Sequence, residues 1–104
     1  PNQFVAIISE NPAKIFGMYP RKGTIKVGSD ADLLIWNPDK QISYGVKIAQ
    51  HRTDYNLYEG WELIGFPEKV FLRGKLMVDN GNWLGQPGSG KFISRAIFDP
   101  ATII

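Results

Sequence analysis

The apolar residues of this 104-residue chain change their spacing after Gly17, and this change limits the folds open to the chain. Phe4, Ile7 and Ile8 fall at the i, i+3, i+4 positions of one helix face, and Ile15 continues that face. Beyond Gly17 the apolar residues alternate or form short runs, as they do in strands. The sequence therefore predicts a mainly β fold with helices at its N-terminus.

Pro12 interrupts the helical pattern of residues 2–17. Asn11 is a favoured N-cap residue, and proline is favoured at the first helical position. We therefore expect two short helices that meet at Asn11-Pro12. Gly17 is placed to end the second helix in a left-handed conformation.

The first β segment centres on a glycine turn. Residues 24–27 alternate polar and apolar, which predicts a half-buried strand. Gly28 suits a positive φ in the turn that follows, where Asp30 and Asp32 are expected to accept hydrogen bonds from nearby backbone N–H groups. Residues 33–36 are continuously apolar and predict a strand covered on both faces.

The middle of the chain has a weaker pattern. Residues 37–39 are expected to close the preceding strand, because Asn-Pro-Asp is typical of a turn. One or two further strands are expected within residues 41–50. Residues 51–60 are polar and aromatic with no clean period, which indicates an ordered loop.

The clearest hairpin signal lies in the last third of the chain. Residues 69–72 and 75–78 are strand-like and are separated by the two-residue turn Arg73-Gly74. Asn80-Gly81 predicts another tight turn. Residues 91–98 return to alternation and predict a last strand.

Composition excludes several chemistries. The chain has no cysteine and one histidine, so it cannot form a disulfide framework, a zinc finger, a thiol nucleophile or a multi-histidine metal centre. Its net charge of +2 and lack of a basic stripe argue against a nucleic-acid partner. The longest apolar run, residues 4–8, is far below the roughly 18 residues that span a bilayer. With no signal-peptide pattern, the sequence predicts a cytoplasmic protein with no membrane partner.

Three groups of residues could carry chemistry, and each also has a structural interpretation. His51 could bind a metal ion, but with Asp54 three residues away we favour a hydrogen bond that staples the loop. Asp30 and Asp32 could act as acid and base, but in a turn we expect them to bind backbone. Residues 88–91 resemble part of a phosphate loop, but the required helix does not follow them.

Four motifs in order resemble the C-terminal region of the amidohydrolase superfamily. Residues 11–14 and 23–35 are similar to the signature found in that superfamily where the chain leaves the last helix of the barrel and enters a small β-sandwich. Residues 54–60, 73–75 and 88–95 are similar to dihydropyrimidinases and D-hydantoinases. The positions that carry this resemblance, which we assign as structural family positions, are Asn11, Pro12, Gly23, Gly28, Asp30, Asp32, Asp54, Tyr55, Asn56, Glu59, Gly60, Arg73, Gly74, Gly90 and Arg95.

The resemblance implies an architecture. The chain would form the C-terminal part of the composite β-sandwich that flanks the amidohydrolase TIM barrel. Residues 1–18 would be terminal helices from the barrel side, residues 19–95 the sandwich segment and residues 96–104 a C-terminal tail. Because such a sandwich is built from both ends of the polypeptide, we expect this chain to leave apolar surface uncovered.

The resemblance also implies a reaction that this segment does not perform alone. Such enzymes hydrolyse the cyclic amide of dihydropyrimidines or hydantoins with two metal ions, usually zinc, bridged by a carboxylated lysine. Those metal ligands and the substrate contacts belong to upstream barrel segments, so no catalytic, substrate-binding or metal-binding residue is assigned here. The implied partners are the remainder of the parent chain and further copies of the parent. The resemblance implies that these copies form a homo-oligomer, with a tetramer expected for the parent.

Three alternatives remain open on the sequence. The parent could be a non-catalytic dihydropyrimidinase-related scaffold, although Arg73 favours the enzymes. It could be an allantoinase or dihydroorotase, although residues 54–60 argue against this. The chain could also be an autonomous β-rich binding module with a closed sheet.

Overall fold

Helical backbone occupies the N-terminus of the computed structural model, which describes residues 1–102. Helix α1 spans Asn2–Val5, a π-helical turn spans Ala6–Glu10, and helix α2 spans Asn11–Ile15. The predicted N-terminal helices are therefore confirmed. One part of the prediction is wrong: Asn11 has helical dihedral angles (φ −65°, ψ −42°), so it lies inside a continuous helical segment and is not an N-cap.

The π-helical turn explains how the helix passes Pro12. A proline ring inside an α-helix clashes with the carbonyl four residues earlier and donates no hydrogen bond. Here the backbone N–H of Asn11 donates to the carbonyl of Ala6, five residues earlier, so the turn before Pro12 is wider. This wider turn gives the ring room without ending the helix.

The expected stop at Gly17 is confirmed. Gly17 has a φ of +66°. The N–H of Met18 donates to the carbonyl of Ala13 at 2.8 Å, and that of Gly17 to the carbonyl of Lys14 at 3.1 Å. This pair of hydrogen bonds is a Schellman motif, which satisfies the last carbonyls of the helix.

The strands form one four-stranded sheet in the order β1-β2-β3-β4. Strand β1 is Leu33–Tyr44, β2 is Trp61–Leu72, β3 is Lys75–Asp79 and β4 is Asn82–Trp83. A 3₁₀ helix, Pro100–Thr102, lies near the end of the described residues. The mainly β character of the chain is confirmed.

Both predicted hairpin turns are present. Arg73 and Gly74 have φ values of +49° and +78°, and Asn80 and Gly81 have +48° and +86°. Two successive positive φ values define the type I′ turn, whose twist matches that of antiparallel strands. The second turn pairs β3 with β4 in antiparallel register, with Val78 opposite Trp83.

Two predicted strands are absent from the described part of the chain. Residues 24–27 and 91–98 alternate in sequence, yet neither is a strand in the structure. Ile25 is 89% exposed and Phe92 is 92% exposed. The alternating pattern marks residues that could pair, but no strand of residues 1–102 lies beside either segment to form the ladder.

Strand β1 runs further than the sequence indicates. Residues 37–39 do not end it, and residues 45–50, where more strand was expected, form a turn. The Asn37 side chain does accept the Asp39 N–H at 3.1 Å, as in an Asx turn. The strand nevertheless continues, because β1 lies at the sheet edge, where Pro38 can lack a donor without breaking a central ladder.

The chain buries little apolar surface. Ala13 and Met77 are buried, whereas Leu34, Ile35 and Trp36 are each about half exposed, so the prediction of a strand covered on both faces is wrong. Many other large apolar side chains are more than half exposed, among them Phe4, Val27 and Phe92.

The chain divides into two compact units. The first comprises Pro1–Leu33, Leu72–Gly74 and the residues from Gln86 onward, and the second comprises Leu34–Phe71 and Lys75–Gly85. The predicted boundaries after residues 18 and 95 stay predictions. Ile103 and Ile104, the end of the predicted tail, lie outside the described residues.

Candidate functional site

Four charged side chains form a cluster in the first unit. Asp30 Oδ2 accepts from Arg21 Nε at 3.0 Å and lies 2.9 Å from Lys22 Nζ. Lys22 Nζ also donates to Asp32 Oδ2. The backbone supports this arrangement, because the Asp30 N–H donates to the Arg21 carbonyl at 2.9 Å. We name Arg21, Lys22, Asp30 and Asp32 the ionic cluster.

The ionic cluster reaches the tip of the β2–β3 hairpin. Asp32 Oδ1 accepts the backbone N–H of Arg73 at 2.9 Å, and the Gly74 N–H donates to the Ala31 carbonyl at 2.9 Å. The Arg73 guanidinium in turn donates to the Ser89 carbonyl at 2.8 Å. Three segments that are distant in sequence therefore meet at this point within the first unit.

This arrangement differs from the sequence prediction for the two aspartates. They were expected to accept hydrogen bonds from nearby backbone, but Asp30 accepts from two cationic side chains and Asp32 accepts from a backbone group 41 residues away. The reason is that Arg21 and Lys22 lie on the loop opposite the aspartates and place two positive charges there. A charge-assisted hydrogen bond is stronger than a neutral one.

Within the ionic cluster, the pKa values of Asp30 and Lys22 are both shifted further from pH 7. The hydrogen bond from Lys22 lowers the pKa of Asp30, and the one from Arg21 lowers it further. Burial would lower the pKa of Lys22, but its hydrogen bonds to Asp32 and Asp30 outweigh burial and raise it. A general acid or base works best with a pKa near the operating pH. The cluster therefore suits the joining of segments better than proton transfer.

In the second unit, His51 holds a loop together. Its Nδ1 lies 2.7 Å from Thr53 Oγ1, and its Nε2 lies 3.5 Å from Asn56 Nδ2. The Tyr58 N–H donates to Asn56 Oδ1 at 2.8 Å. The ordered loop was predicted, but the partner of His51 is Thr53 and not Asp54.

Glu59 closes the turn that follows β1. Its Oε2 accepts the Val46 N–H at 2.8 Å, and its carboxylate lies against Gly45, where a Cβ would leave it no space. The Gly60 N–H donates to the Tyr44 carbonyl at 2.8 Å, and Gly60 has a φ of +80°. Glu59 and Gly60 thus share one local task, to hold residues 44–46 against residues 59–60.

Four of the other family positions are placed as follows. Pro12 lies in α2, and Gly23 packs so closely on that helix that a Cβ on it would come within 2.5 Å of the Ala13 Cβ. Tyr55 is 67% exposed. Arg95 lines a cleft in the first unit.

Sequence reasoning missed several participants. It did not single out Arg21, Lys22, Gly45 or Thr53. The basic pair Arg21-Lys22, eight to eleven residues before two aspartates, was a visible signal of charge pairing. Gly45 carries no such signal, because only its spatial neighbours give it a role.

No metal site is formed by the residues that the structure describes. Among residues 1–102, no group of three or more His, Asp or Glu side chains could hold a metal ion. Within the same residues, no helix is long and apolar enough to cross a membrane.

Known proteins resemble this chain closely. Residues 1–77 match the amidohydrolase family. The chain is 46% identical over 93 residues to the D-hydantoinase of Ralstonia pickettii, covering 89% of this chain and 20% of that protein. It is 41% identical over 97 residues to the dihydropyrimidinase of Rattus norvegicus, covering 93% and 19%.

Solved structures agree with the sequence relatives. A D-hydantoinase from a Bacillus species matches with a TM-score of 0.89 and 46% identity, covering 94% of this chain and 21% of that one. The L-hydantoinase (dihydropyrimidinase) of Arthrobacter aurescens matches with a TM-score of 0.84 and 36% identity, covering 89% and 21%.

The fold and these matches define the class: the chain belongs to the amidohydrolase family. Within that family, its relatives include D-hydantoinases and dihydropyrimidinases, and the chain spans about a fifth of their length. The expected resemblance is confirmed.

Proposed function

We propose that this chain is the C-terminal structural segment of a metal-dependent cyclic amidohydrolase of the hydantoinase or dihydropyrimidinase type. The whole protein would hydrolyse the cyclic amide C–N bond of hydantoins or dihydropyrimidines. This segment would supply most of a β-sandwich and none of the catalytic groups. The observation that carries the proposal is the similarity to such enzymes over about nine-tenths of the chain but only a fifth of theirs.

The contacts of the charged residues support a structural role. Asp30 is held by two cations, and Asp32 is held by Lys22 and the Arg73 N–H. Both ring nitrogens of His51 face polar partners within its own loop. These are the groups that the sequence singled out as a possible acid, base or ligand, and each is engaged in joining parts of the chain.

The residues described here do not fit a two-metal site. A binuclear centre needs several histidine and carboxylate ligands around one point, and residues 1–102 form no such group. In our proposal the metal ions and the carboxylated lysine belong to the remainder of the polypeptide. No step of the reaction is assigned to the groups of this chain.

The exposed surface indicates what the segment packs against. Large apolar side chains of the N-terminal helical segment, Phe4, Ile7 and Ile8, are each more than half exposed, and a contiguous exposed apolar surface commonly marks a protein interface. We propose that the remainder of the parent chain covers part of this surface, and that further copies in a homo-oligomer cover the rest.

A split-protein experiment tests this function. One polypeptide would be the D-hydantoinase of Ralstonia pickettii without the residues matched here, and the other would be this chain. We expect neither alone to open hydantoin or dihydrouracil with zinc or manganese added, and co-expression to restore turnover. Metal-dependent turnover by this chain alone would refute the structural role.

A matched variant sharpens that test. Asp32→Ala in this chain removes the acceptor of the Arg73 N–H and should weaken restoration. Asp54→Ala removes an exposed acid from a loop and should restore turnover as well as the parent chain. Equal restoration by the two variants would contradict the joining role of Asp32.

A further inference from the structure

The turn between β3 and β4 carries a reactive pair of residues that the proposed function does not use. Of the asparagines in the chain, only Asn80 precedes a glycine, whereas Asn11 and Asn37 precede proline. Proline has no N–H, so its nitrogen cannot attack the preceding side chain and release a proton. Glycine has no side chain to hinder that attack. Asn80-Gly81 is therefore the pair in this chain best suited to deamidation.

The backbone nitrogen of Gly81 is free to react. Among residues 1–102, its N–H donates no hydrogen bond, although its carbonyl accepts from the Gln50 side chain at 3.4 Å. A Cβ added to Gly81 would meet nothing within 4 Å. Neither a hydrogen bond nor crowding within the described chain thus holds this nitrogen back.

The side chain of Asn80 is held by its neighbour. Its Nδ2 donates to Asp79 Oδ1 at 3.1 Å, and the same oxygen accepts from Lys69 Nζ at 2.7 Å. The backbone N–H of Asn80 donates to the Glu68 carbonyl at 2.7 Å. These contacts stabilise the closed turn and keep the amide beside Asp79.

The closed turn protects Asn80. In a type I′ turn the ψ of this residue is about +30°, which places the next nitrogen and the Asn80 Cβ nearly opposite each other across the Cα–C bond. Ring closure needs both on the same side, so the turn must first open. Strand β4 has 2 residues, and its register with β3 pairs Val78 with Trp83 and Asp79 with Asn82. So short a pairing opens at low cost.

We propose that Asn80 is a site of spontaneous deamidation, gated by local opening of this turn. The Gly81 nitrogen forms a bond to the Asn80 Cγ, the Cγ–Nδ2 bond breaks, and the Nδ2 group takes the Gly81 proton and leaves as ammonia. One water molecule then opens the cyclic imide. Cleavage at Cγ gives aspartate, and cleavage at the backbone carbonyl gives isoaspartate.

The reacting atoms all lie within the turn. Asn80 Cγ and the Gly81 nitrogen belong to adjacent residues, so no other part of the parent polypeptide lies between them. Water is the only further reactant. Deamidation therefore requires local opening of the turn and no ligand-sized space at the surface.

The two products affect the hairpin differently. Asp-Gly suits a type I′ turn as well as Asn-Gly does, so the aspartate product keeps the turn. Isoaspartate adds a methylene to the backbone, which a two-residue turn cannot accommodate. The pairing of Val78 with Trp83 should then be lost.

The test uses the complete polypeptide that carries this chain, stored at pH 6 and at pH 8. Peptide mapping by mass spectrometry locates deamidation, and a protein isoaspartyl methyltransferase labels isoaspartate. We expect isoaspartate at residue 80 before it appears at residues 2, 56 or 82. It should form faster at pH 8, because loss of the proton makes the Gly81 nitrogen a stronger nucleophile. Direct hydrolysis of the side chain gives aspartate alone, so aspartate without isoaspartate, or an unchanged Asn80, would overturn the proposal.

A pair of matched variants tests the gating. Asp79→Ala removes the acceptor of the Asn80 amide and the partner of Lys69, so deamidation should become about fivefold faster. Asp39→Ala removes an exposed acid from β1 and should leave the rate unchanged. Equal rates in the two variants would refute the protection of Asn80 by the closed turn.

Discussion

Asp32 accepts the backbone N–H of Arg73 across 41 residues of sequence, at 2.9 Å. Arg73 has a φ of +49°, a conformation that non-glycine residues rarely adopt. The hydrogen bond therefore stabilises Arg73 in a conformation that a residue with a side chain disfavours. The same carboxylate binds Lys22, so one side chain joins the loop after the helices to the tip of a hairpin.

Removal of this carboxylate should destabilise the protein. Asp32→Ala leaves the Arg73 N–H without its acceptor, and we expect a loss of about 1 kcal/mol in the free energy of unfolding, since the site is partly exposed. Asp32→Asn should lose less, because the amide oxygen can still accept. Urea denaturation measures both, with Asp54→Ala as the control. An Ala variant as stable as the control would refute the role of the bond.

The ionic cluster should give a defined dependence of stability on pH. The pKa of Asp30 is lowered from 3.8 in the folded chain, so its contribution is present above about pH 4 and is lost as the pH falls through the lowered value. The pKa of Lys22 is raised from 10.5, so its contribution is present below about pH 10.5 and is lost as the pH rises through the raised value.

Asp30→Asn tests this dependence. The variant should be less stable than the parent chain at pH 7, and the difference should shrink as the pH falls below 4. Melting temperatures measured from pH 2 to pH 8 give both curves. Parallel curves over that range would show that Asp30 is not the group responsible.

Two glycines with nearly the same φ should respond differently to alanine. Gly23 and Gly81 have φ values of +83° and +86°, so alanine costs about 1–2 kcal/mol at either position from backbone strain alone. At Gly81 an added Cβ meets nothing within 4 Å, whereas at Gly23 it meets the Ala13 Cβ at 2.5 Å. Gly23→Ala should therefore cost about 1–3 kcal/mol more than Gly81→Ala. Equal unfolding free energies would mean that α2 shifts freely to make room.

Glu59 should protect one backbone amide from exchange. Its carboxylate accepts the Val46 N–H at 2.8 Å, so Glu59→Ala should speed hydrogen exchange at Val46, while Glu59→Gln should keep most of the protection. Amide exchange followed by NMR gives the rates. Glu62 is exposed on β2, so Glu62→Ala serves as the control. An equal increase of the Val46 exchange rate in that variant would show that Glu59 does not protect this amide.

The isolated chain should hide its apolar surface by association. Phe4, Ile7 and Ile8 of the N-terminal helical segment are each more than half exposed. A monomer that exposes so many large apolar side chains should bind a hydrophobic dye and sediment as larger species as its concentration rises. A stable monomer without dye binding at high concentration would contradict this expectation.

Local patterns gave reliable predictions where neighbouring residues decide the structure. The Schellman motif at Gly17 and the type I′ turns at Arg73-Gly74 and Asn80-Gly81 each depend on a few backbone dihedral angles that nearby side chains select. The predictions for residues 24–27 and 91–98 failed because a strand needs a partner, and alternation in one segment carries no information about whether a partner is present.

The sequence alone determined the N-terminal helices, the tight turns and the family, since these follow from short-range sterics and from motifs written in order along the chain. Only the tertiary structure decided which acceptor each charged group finds. Asp32 meets Arg73, and Glu59 meets Val46, because folding brings segments 13 to 41 residues apart within hydrogen-bond distance. Hydrogen bonds and ion pairs act over a few ångströms of space, and separation along the chain does not report that distance.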